Sequence, residues 1–311
     1  MAAITLTAIN RRSAGTRILD DVSLRVESGE LMVIVGPSGS GKTSLIRAIA
    51  GLDELSSGSV FFDDDEVTHI PVAERDVGLI FAENALFPTH SVRNNIAMSL
   101  WARSVNRKQV DERVDAEARA LDISAIIDRW PNELSTGHQQ LVQIARAMVR
   151  VPRVLLLDEP MAHLDLPTRK RLRAELRQLQ RGYGVTTVLA TNDPADAMFM
   201  ADRITAIDSG RIRQIGTPDE LHTAPATTHI AWLTGSIGLL NATVQSEGEG
   251  FWLVGDGFRL RAWAPVLRDF VAADVQVAPP TIENRSAAKS LEAAACARTP
   301  ANITAPPTIN N

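Results

Sequence analysis

The sequence predicts an α/β fold built on a mostly parallel sheet, and three observations carry the prediction. Strand-like and helix-like segments alternate through most of residues 1–235, the pattern that lays helices over a parallel sheet. Val154-Leu155-Leu156-Leu157 is an unbroken apolar run of the kind covered on both faces, and Thr186 to Ala190 is the next buried-looking strand. A third run, Leu31 to Val35, meets a glycine-rich loop that opens into a helical pattern.

The bulk numbers exclude several function classes. A chain of 311 residues has room for two domains, and 45% apolar residues suits a soluble globular protein. No run approaches the roughly 18 apolar residues of a spanning helix, and the N-terminus lacks a signal pattern, so the chain is expected to remain where it is made. The single cysteine, Cys296, rules out an internal disulfide and a cysteine metal cluster. The six histidines show no paired spacing, which argues against zinc. Net charge is −5 without a basic stripe, which argues against nucleic acid as the main partner.

Taken in order, residues 3–9 and 22–26 alternate apolar and polar, a hairpin-like pair of strands. Ser28-Gly29-Glu30 turns into the strand at 31–35. The loop from Gly36 to Thr43 fits G-x-x-x-x-G-K-[ST], a phosphate-binding loop. Gly36, Gly39 and Gly41 let the backbone curl so that its N–H groups point inward. Pro37, Ser38 and Ser40 complete the loop, and Ser44 follows it on a helix whose positive end adds to the cradle. Lys42 is placed for the β/γ-phosphates and the Thr43 hydroxyl for magnesium.

Val60 to Phe62 is a short strand, and Asp63-Asp64-Asp65 reads as a solvated turn rather than a cation site. Val110, Val114, Ala118 and Leu121 share one helical face, and Leu141, Ile144, Ala145 and Met148 another, the second helix stopping near Pro152. Residues 168–180 form a basic amphipathic helix whose arginines read as a solvated face rather than a lipid-binding one. A helix near 195–201 follows, then a hairpin over 203–215 turning at Ser209-Gly210. Thr217-Pro218-Asp219-Glu220 carries the N-cap, proline and glutamate of a helix start. Beyond residue 236 the character changes: 240–277 suggests a few β strands, and 278–311 a disordered tail rich in Pro, Ala, Thr and Asn.

Asp158 ends the apolar run at 154–157 and is the expected second half of the nucleotide site, its carboxylate holding magnesium directly or through water. Glu159 beside it is the candidate general base for an attacking water, a role typically worth 10²–10⁴-fold. Between loop and carboxylates lies Leu134-Ser135-Thr136-Gly137-His138, a serine and glycine at a helix start where an anion can sit.

Together these features resemble the ATP-binding-cassette family, specifically the ATPase subunits of carbohydrate importers of the maltose and glycerol-phosphate type. The resemblance covers about residues 1–277. It rests on the phosphate loop, on Pro71, Glu74 and Arg75, on Ala85-Leu86-Phe87-Pro88 and on the stretch at 134–138. It rests further on Leu157-Asp158-Glu159-Pro160 and Leu164-Asp165, with Gly235-Ser236 and Asn241 resembling a junction into a regulatory β-barrel. Polyamine and iron importers share this architecture.

The resemblance implies a P-loop cassette over residues 1–235, with an antiparallel β subdomain and a helical subdomain, followed by a truncated β-barrel-like segment at 236–277 and the tail at 278–311. It implies ATP and Mg2+ as cofactors and a head-to-tail pair of cassettes, as homodimer or heterodimer. Each composite site would take its phosphate loop from one chain and the signature from the other. Ser135 and Gly137 would then contact a γ-phosphate held by the partner chain, with Asp165 at the seam. Permease subunits would dock through residues 82–100, placing the chain peripherally at the cytoplasmic face of the membrane. An extracytoplasmic solute-binding protein would be an indirect partner.

Several positions depart from the family's pattern. Ala82 stands where the family has a glutamine that reaches magnesium and water, with Glu83 one residue out of place, and Asn192 stands where it has a switch histidine. Thr136 and His138 replace a glycine and a glutamine, and residues 10–17 offer no aromatic for adenine, leaving an arginine such as Arg12 to stack instead. Phosphate and magnesium groups are kept while sensing groups are altered. The expectation is therefore a chain that binds ATP but hydrolyses slowly in its own half-site, paired with an intact cassette. The alternatives are a homodimer that tolerates the changes and a non-hydrolysing regulatory cassette.

Overall fold

The structure is a computed structural model that describes residues 1–81, 86–162, 164–234, 240–247, 250–255, 258–262 and 274–277. The chain divides into two compact units between Asp219 and Glu220.

The first unit opens with β1 (Ile4–Ser13) and β2 (Thr16–Val26), antiparallel strands that bury Ile4, Leu6, Ile9, Leu19 and Val22 on one face. Next, β3 (Leu31–Val35) is buried along its whole length and leads through the glycine loop into α1 (Lys42–Ala50). Adding β4 (Ser57–Phe62) and β5 (Asp65–Glu66) gives a small antiparallel sheet in the order β2-β1-β4-β5. The acidic turn between β4 and β5 is tied down by Arg153, 3.2 Å from Asp63 and 3.1 Å from Asp65.

After β6 (Val77–Ile80) come three helices, α2 (Val92–Trp101), α3 (Arg107–Ala120) and α4 (Thr136–Met148). Then follow β7 (Val154–Asp158), α5 (Leu166–Tyr183), β8 (Thr186–Thr191), α6 (Pro194–Met200), β9 (Arg203–Asp208) and β10 (Arg211–Gly216). These strands form a six-stranded sheet in the order β10-β9-β3-β8-β7-β6. All its pairings are parallel except the hairpin β9–β10, which turns at Ser209 and Gly210, both at positive φ (51° and 75°). That two-residue turn is the one the sequence predicts.

The register aligns Val35 with Thr191 and Asp158 with Ala190. The carboxyl ends of β3, β7 and β8 therefore lie side by side, and the segments that follow them emerge along one edge, where open α/β sheets place their sites.

Buried polar side chains brace this frame. Arg75 donates to the carbonyls of Ala48 (3.1 Å) and Ile49 (2.8 Å) at the end of α1, and to those of Thr68 and Ile70 (both 2.8 Å). A cation there satisfies orphan carbonyls and suits the negative end of the helix. Asn95 accepts from the Phe87 N–H at 2.8 Å and donates to the carbonyls of Phe87, His90 and Ser91, shaping the turn before α2. On α3, Glu117 is 5% exposed and accepts a 2.8 Å hydrogen bond from the hydroxyl of Tyr183 at the end of α5. Burial pushes its carboxyl up to about 7, against the pull of that hydrogen bond.

The second unit takes in most of α7 (Pro218–Thr223) and α8 (Thr228–Leu233), followed by β11 (Leu240–Glu247), β12 (Gly250–Gly255), β13 (Phe258–Ala262) and β14 (Asp274–Val277). The strands pair antiparallel in the order β13-β12-β11-β14, in keeping with the β character expected of 240–277. Asn241 lies on β11 opposite Gln276, whereas the junction residues Gly235 and Ser236 and the predicted tail at 278–311 lie outside the described residues. Among the described residues, no helix is long and apolar enough to cross a membrane.

Candidate nucleotide site

The glycine loop is shaped by close approaches that side chains would block. A Cβ on Gly36 would lie 2.1 Å from the carbonyl oxygen of Ile207 on β9, so only glycine lets the loop pass there. Gly39 (φ 78°) and Gly41 (φ 107°) take backbone conformations that L-residues rarely adopt. Gly41 is also the N-cap of α1 and brings no side-chain acceptor, and no acidic residue sits in the first turn. The first N–H groups of α1 thus keep their capacity for an external anion.

Lys42 is 5% exposed and its Nζ donates to the carbonyls of Gly36 and Pro37, both at 2.9 Å. Its ammonium also stands 3.9 Å from Glu159 Oε1. Burial lowers the lysine's affinity for its proton, while the charges of Glu159 and Asp158 act the other way. Thr43 Oγ1 donates to Asp158 Oδ1 at 3.1 Å. Burial raises the pKa of Asp158, opposed by that hydrogen bond and by Lys42 and Arg47. Glu159 is raised by burial as well, with Lys42 opposing and Asp158 reinforcing. Two carboxyls and one lysine thus share a largely buried corner, with Glu159 partly open to solvent, an arrangement that a divalent cation would relieve.

The donor set fits such an ion. A hydroxyl and a carboxylate oxygen side by side suit magnesium, which takes one or two carboxylates and completes its shell from phosphate and water. Among the described residues no cluster of three or more His, Cys, Asp or Glu could hold a metal by itself. Ser40, whose buried Oγ has no hydrogen-bond partner among the described residues, lies inside the loop. Ser44 accepts from Arg11 at 3.4 Å, and Arg11 also pairs with Asp53 at 3.2 Å, which leaves Arg12 as the exposed arginine of that strand.

Glu159 leaves β7 in a left-handed conformation (φ 49°), its N–H donating to Ala190 O of β8 at 2.9 Å. Asn192 lies directly after β8, exposed, with no side-chain hydrogen bond among the described residues. Ala82 and Glu83 lie outside the described residues.

The other predicted residues stand apart from this cluster. Ser135 is the exposed N-cap of α4, its Oγ accepting from the His138 N–H at 3.3 Å. A Cβ on Gly137 would meet the Thr168 side chain at 2.6 Å, so glycine allows α4 and α5 to approach. Asp165 caps α5 by accepting from the Thr168 N–H at 3.3 Å, and its hydrogen bonds with Thr168 lower its pKa. Among the described residues no hydrogen bond or ion pair joins Ser135, Gly137 or Asp165 to residues 36–43.

Three arginines of α5 are paired across the fold rather than merely solvated, while Arg171, with 60% of its side chain exposed, keeps to the solvated face that the sequence predicts. Arg169 and Arg173 pair with Asp193, Arg173 also with Asp196, and Arg177 with Asp202. Thr191 Oγ1 donates to Asp196 Oδ2 at 2.9 Å, extending the network to the end of β8. The partners lie 20–25 residues away in sequence, beyond the reach of helical periodicity. The only local signal was Asp193-Pro194 as a helix start.

The model of the ABC transporter family matches residues 19–162. The trehalose/maltose import ATP-binding protein MalK of Thermococcus litoralis is 40% identical over 256 residues, spanning 80% of this chain and 69% of that protein. The chain belongs to the ABC transporter family. It is an ATP-binding-cassette ATPase, and the family binds ATP.

The sn-glycerol-3-phosphate import ATP-binding protein UgpC of Ruegeria pomeroyi is 38% identical over 84% of this chain and 74% of its own length. Among solved structures, cbiO1 of Clostridium perfringens, part of the transporter complex cbiONQ, aligns with a TM-score of 0.66 at 26% identity, over 70% of this chain and 89% of that one. The cassette MJ0796, solved as a dimer in a post-hydrolysis state bound to ADP and Pi, aligns with a TM-score of 0.61 at 27% identity, over 69% of this chain and 98% of its own.

Proposed function

We propose that this ABC ATPase powers a membrane importer for a sugar, a polyol or glycerol phosphate. The observation that carries the reading is the joining of Thr43, Asp158, Glu159 and Lys42 in one corner of a chain whose relatives are import ATP-binding proteins. Loop N–H groups and Lys42 bind the phosphates of ATP, while Thr43 and Asp158 hold Mg2+, which supplies neutralisation of phosphate charge. Glu159 orients a water and takes its proton as general base, and burial suits that task by raising its basicity. Pro37, Ser38, Gly39 and Ser44 line the loop around the nucleotide.

Ser135 and Gly137 are offered to a nucleotide bound by a second cassette, with Asp165 at the seam between the two. Permease subunits dock through about residues 82–100 and hold the chain peripherally at the cytoplasmic face, and a solute-binding protein acts with the assembly from outside. Asn192 supplies a hydrogen-bond donor but no positive charge, so this half-site turns over slowly and the chain works beside an intact cassette. The neutral Asn192 also favours a second reading, a regulatory cassette that senses ATP.

Steady-state ATPase of the purified chain, alone and with a partner cassette, tests both. Turnover well above that of the partner alone, lost with Ser135→Ala, supports the paired engine. Glu159→Gln should lower any turnover of this chain's own site by about 10²–10⁴-fold. An ordinary rate for the chain alone, abolished by Glu159→Gln, would refute the impaired half-site.

A further inference from the structure

The two segments expected to meet the reacting phosphate, at Glu159 and Asn192, are joined by a side chain that touches neither. Arg169 lies in the first turn of α5. Its Nε and Nη2 donate to the carbonyl of Met161 at 3.2 and 2.8 Å, and its Nη1 donates to Asp193 Oδ2. Met161 is 1% exposed and lies two residues past Glu159. Its carbonyl also accepts from the Leu164 N–H at 3.3 Å, and the Glu159 carbonyl accepts from the Ala162 N–H at 3.2 Å, so the backbone from Glu159 to Ala162 is tied by its own hydrogen bonds. Asp193 is the neighbour of Asn192, and its other oxygen caps α6 by accepting from the Ala195 N–H at 2.8 Å. Arg173, one turn further along α5, holds Asp196 and reaches Asp193 at 3.3 Å.

We propose that Arg169 is a positioning residue of the ATPase site, fixing the Glu159 turn and the Asn192 turn in one register through the Met161 carbonyl and Asp193. The guanidinium suits this task because its donors lie in one plane and cannot swing independently. Three donors are spent on two groups that belong to different strand ends. Removing them leaves Arg173 to hold Asp193 but nothing from α5 to hold the Met161 carbonyl. A lysine in the same place keeps the charge, yet its single ammonium has no rigid fork to grip both partners. Small displacements of a base relative to its substrate are costly, a 1 Å error reaching about 10²-fold in rate.

The proposal rests on Glu159 being the general base, and the experiment separates the two. Hydrolysis of MgATP is measured on the full chain in single turnover, together with the affinity for a fluorescent ATP analogue. Arg169→Met should lower the hydrolytic rate about 10–100-fold while analogue affinity stays within about twofold, because Lys42, Thr43 and Asp158 are untouched. Arg169→Lys should fall between. Combining Arg169→Met with Asp193→Asn should lose clearly less than the sum of the two single losses, since both break one linkage, while Asp193 also serves Arg173 and the cap of α6. If Arg169→Met does not fold by circular dichroism, Arg169→Lys and Asp193→Asn carry the comparison, each expected to lose rate but not affinity.

A rate within about twofold of the parent, a loss of affinity parallel to the loss of rate, or additive effects of the two substitutions would overturn the clamp. Glu159→Gln is run beside them. Should it keep the parent's rate, the general-base reading fails; should it abolish hydrolysis while Arg169→Met changes nothing, only the clamp fails.

Discussion

Glu117 offers a measurement of how α3 is anchored to α5. Its carboxyl sits at about 7 in the fold against 4.5 for an unperturbed glutamate, with burial as the main cause. The folded chain therefore keeps this proton over a range of pH where the unfolded chain has released it. Unfolding in that range releases a proton, so rising pH favours the unfolded state. Stability contributed here is full below about pH 4.5 and is lost progressively as pH rises through about 7.

The gap between the two values corresponds to roughly 3 kcal/mol at 1.36 kcal/mol per pH unit. Replacing Glu117 with glutamine removes the titration and keeps an acceptor for the Tyr183 hydroxyl. Denaturant unfolding of both proteins, followed by circular dichroism from pH 5 to pH 8, should show the glutamine variant gaining on the parent by up to about 3 kcal/mol as pH rises. Tyr183→Phe should carry the parent's loss of stability on to higher pH, because the lost hydrogen bond favours the charged carboxylate. Curves for parent and Glu117→Gln that run parallel across this range would refute the reasoning.

Two further substitutions test the frame of the site. Arg75→Met strips donors from four carbonyls around the end of α1 and should cost on the order of 3 kcal/mol, seen as a lowered thermal midpoint. Gly36→Ala drives a methyl group to 2.1 Å from the Ile207 carbonyl. It should lower stability by about 1–3 kcal/mol as an overpacked contact, and titration with a fluorescent ATP analogue should show weakened binding.

Most of the parallel sheet was legible because β3 and the first four residues of β7 are continuous apolar runs and β8 is rich in β-branched residues, all three buried at every position. The phosphate loop and the Asp158-Glu159 pair were legible because motif and strand end coincide. The strand β6 escaped notice, being four residues long with Gly78 inside it. The helix α2 escaped as well, since Asn95 on its buried face breaks the apolar period. That asparagine is fully buried because three carbonyls and one N–H of the preceding turn satisfy it. The Arg169 network was invisible for a different reason: a sequence shows arginines on a helix but not aspartates brought to them by the next crossover.

The two short bonds from Lys42 to the carbonyls of Gly36 and Pro37 have a thermodynamic consequence. A free lysine side chain surrenders up to about 2 kcal/mol of rotamer entropy when it is immobilised. Here that ordering belongs to folding, so an arriving phosphate meets a cation already in place. An ammonium has three N–H bonds, and two are committed to the loop. The remaining one is unspent: Glu159, 3.9 Å away, is beyond hydrogen-bond reach and meets the ammonium only through its charge. The folded loop thus offers a phosphate one unspent donor on a charge whose position is already set.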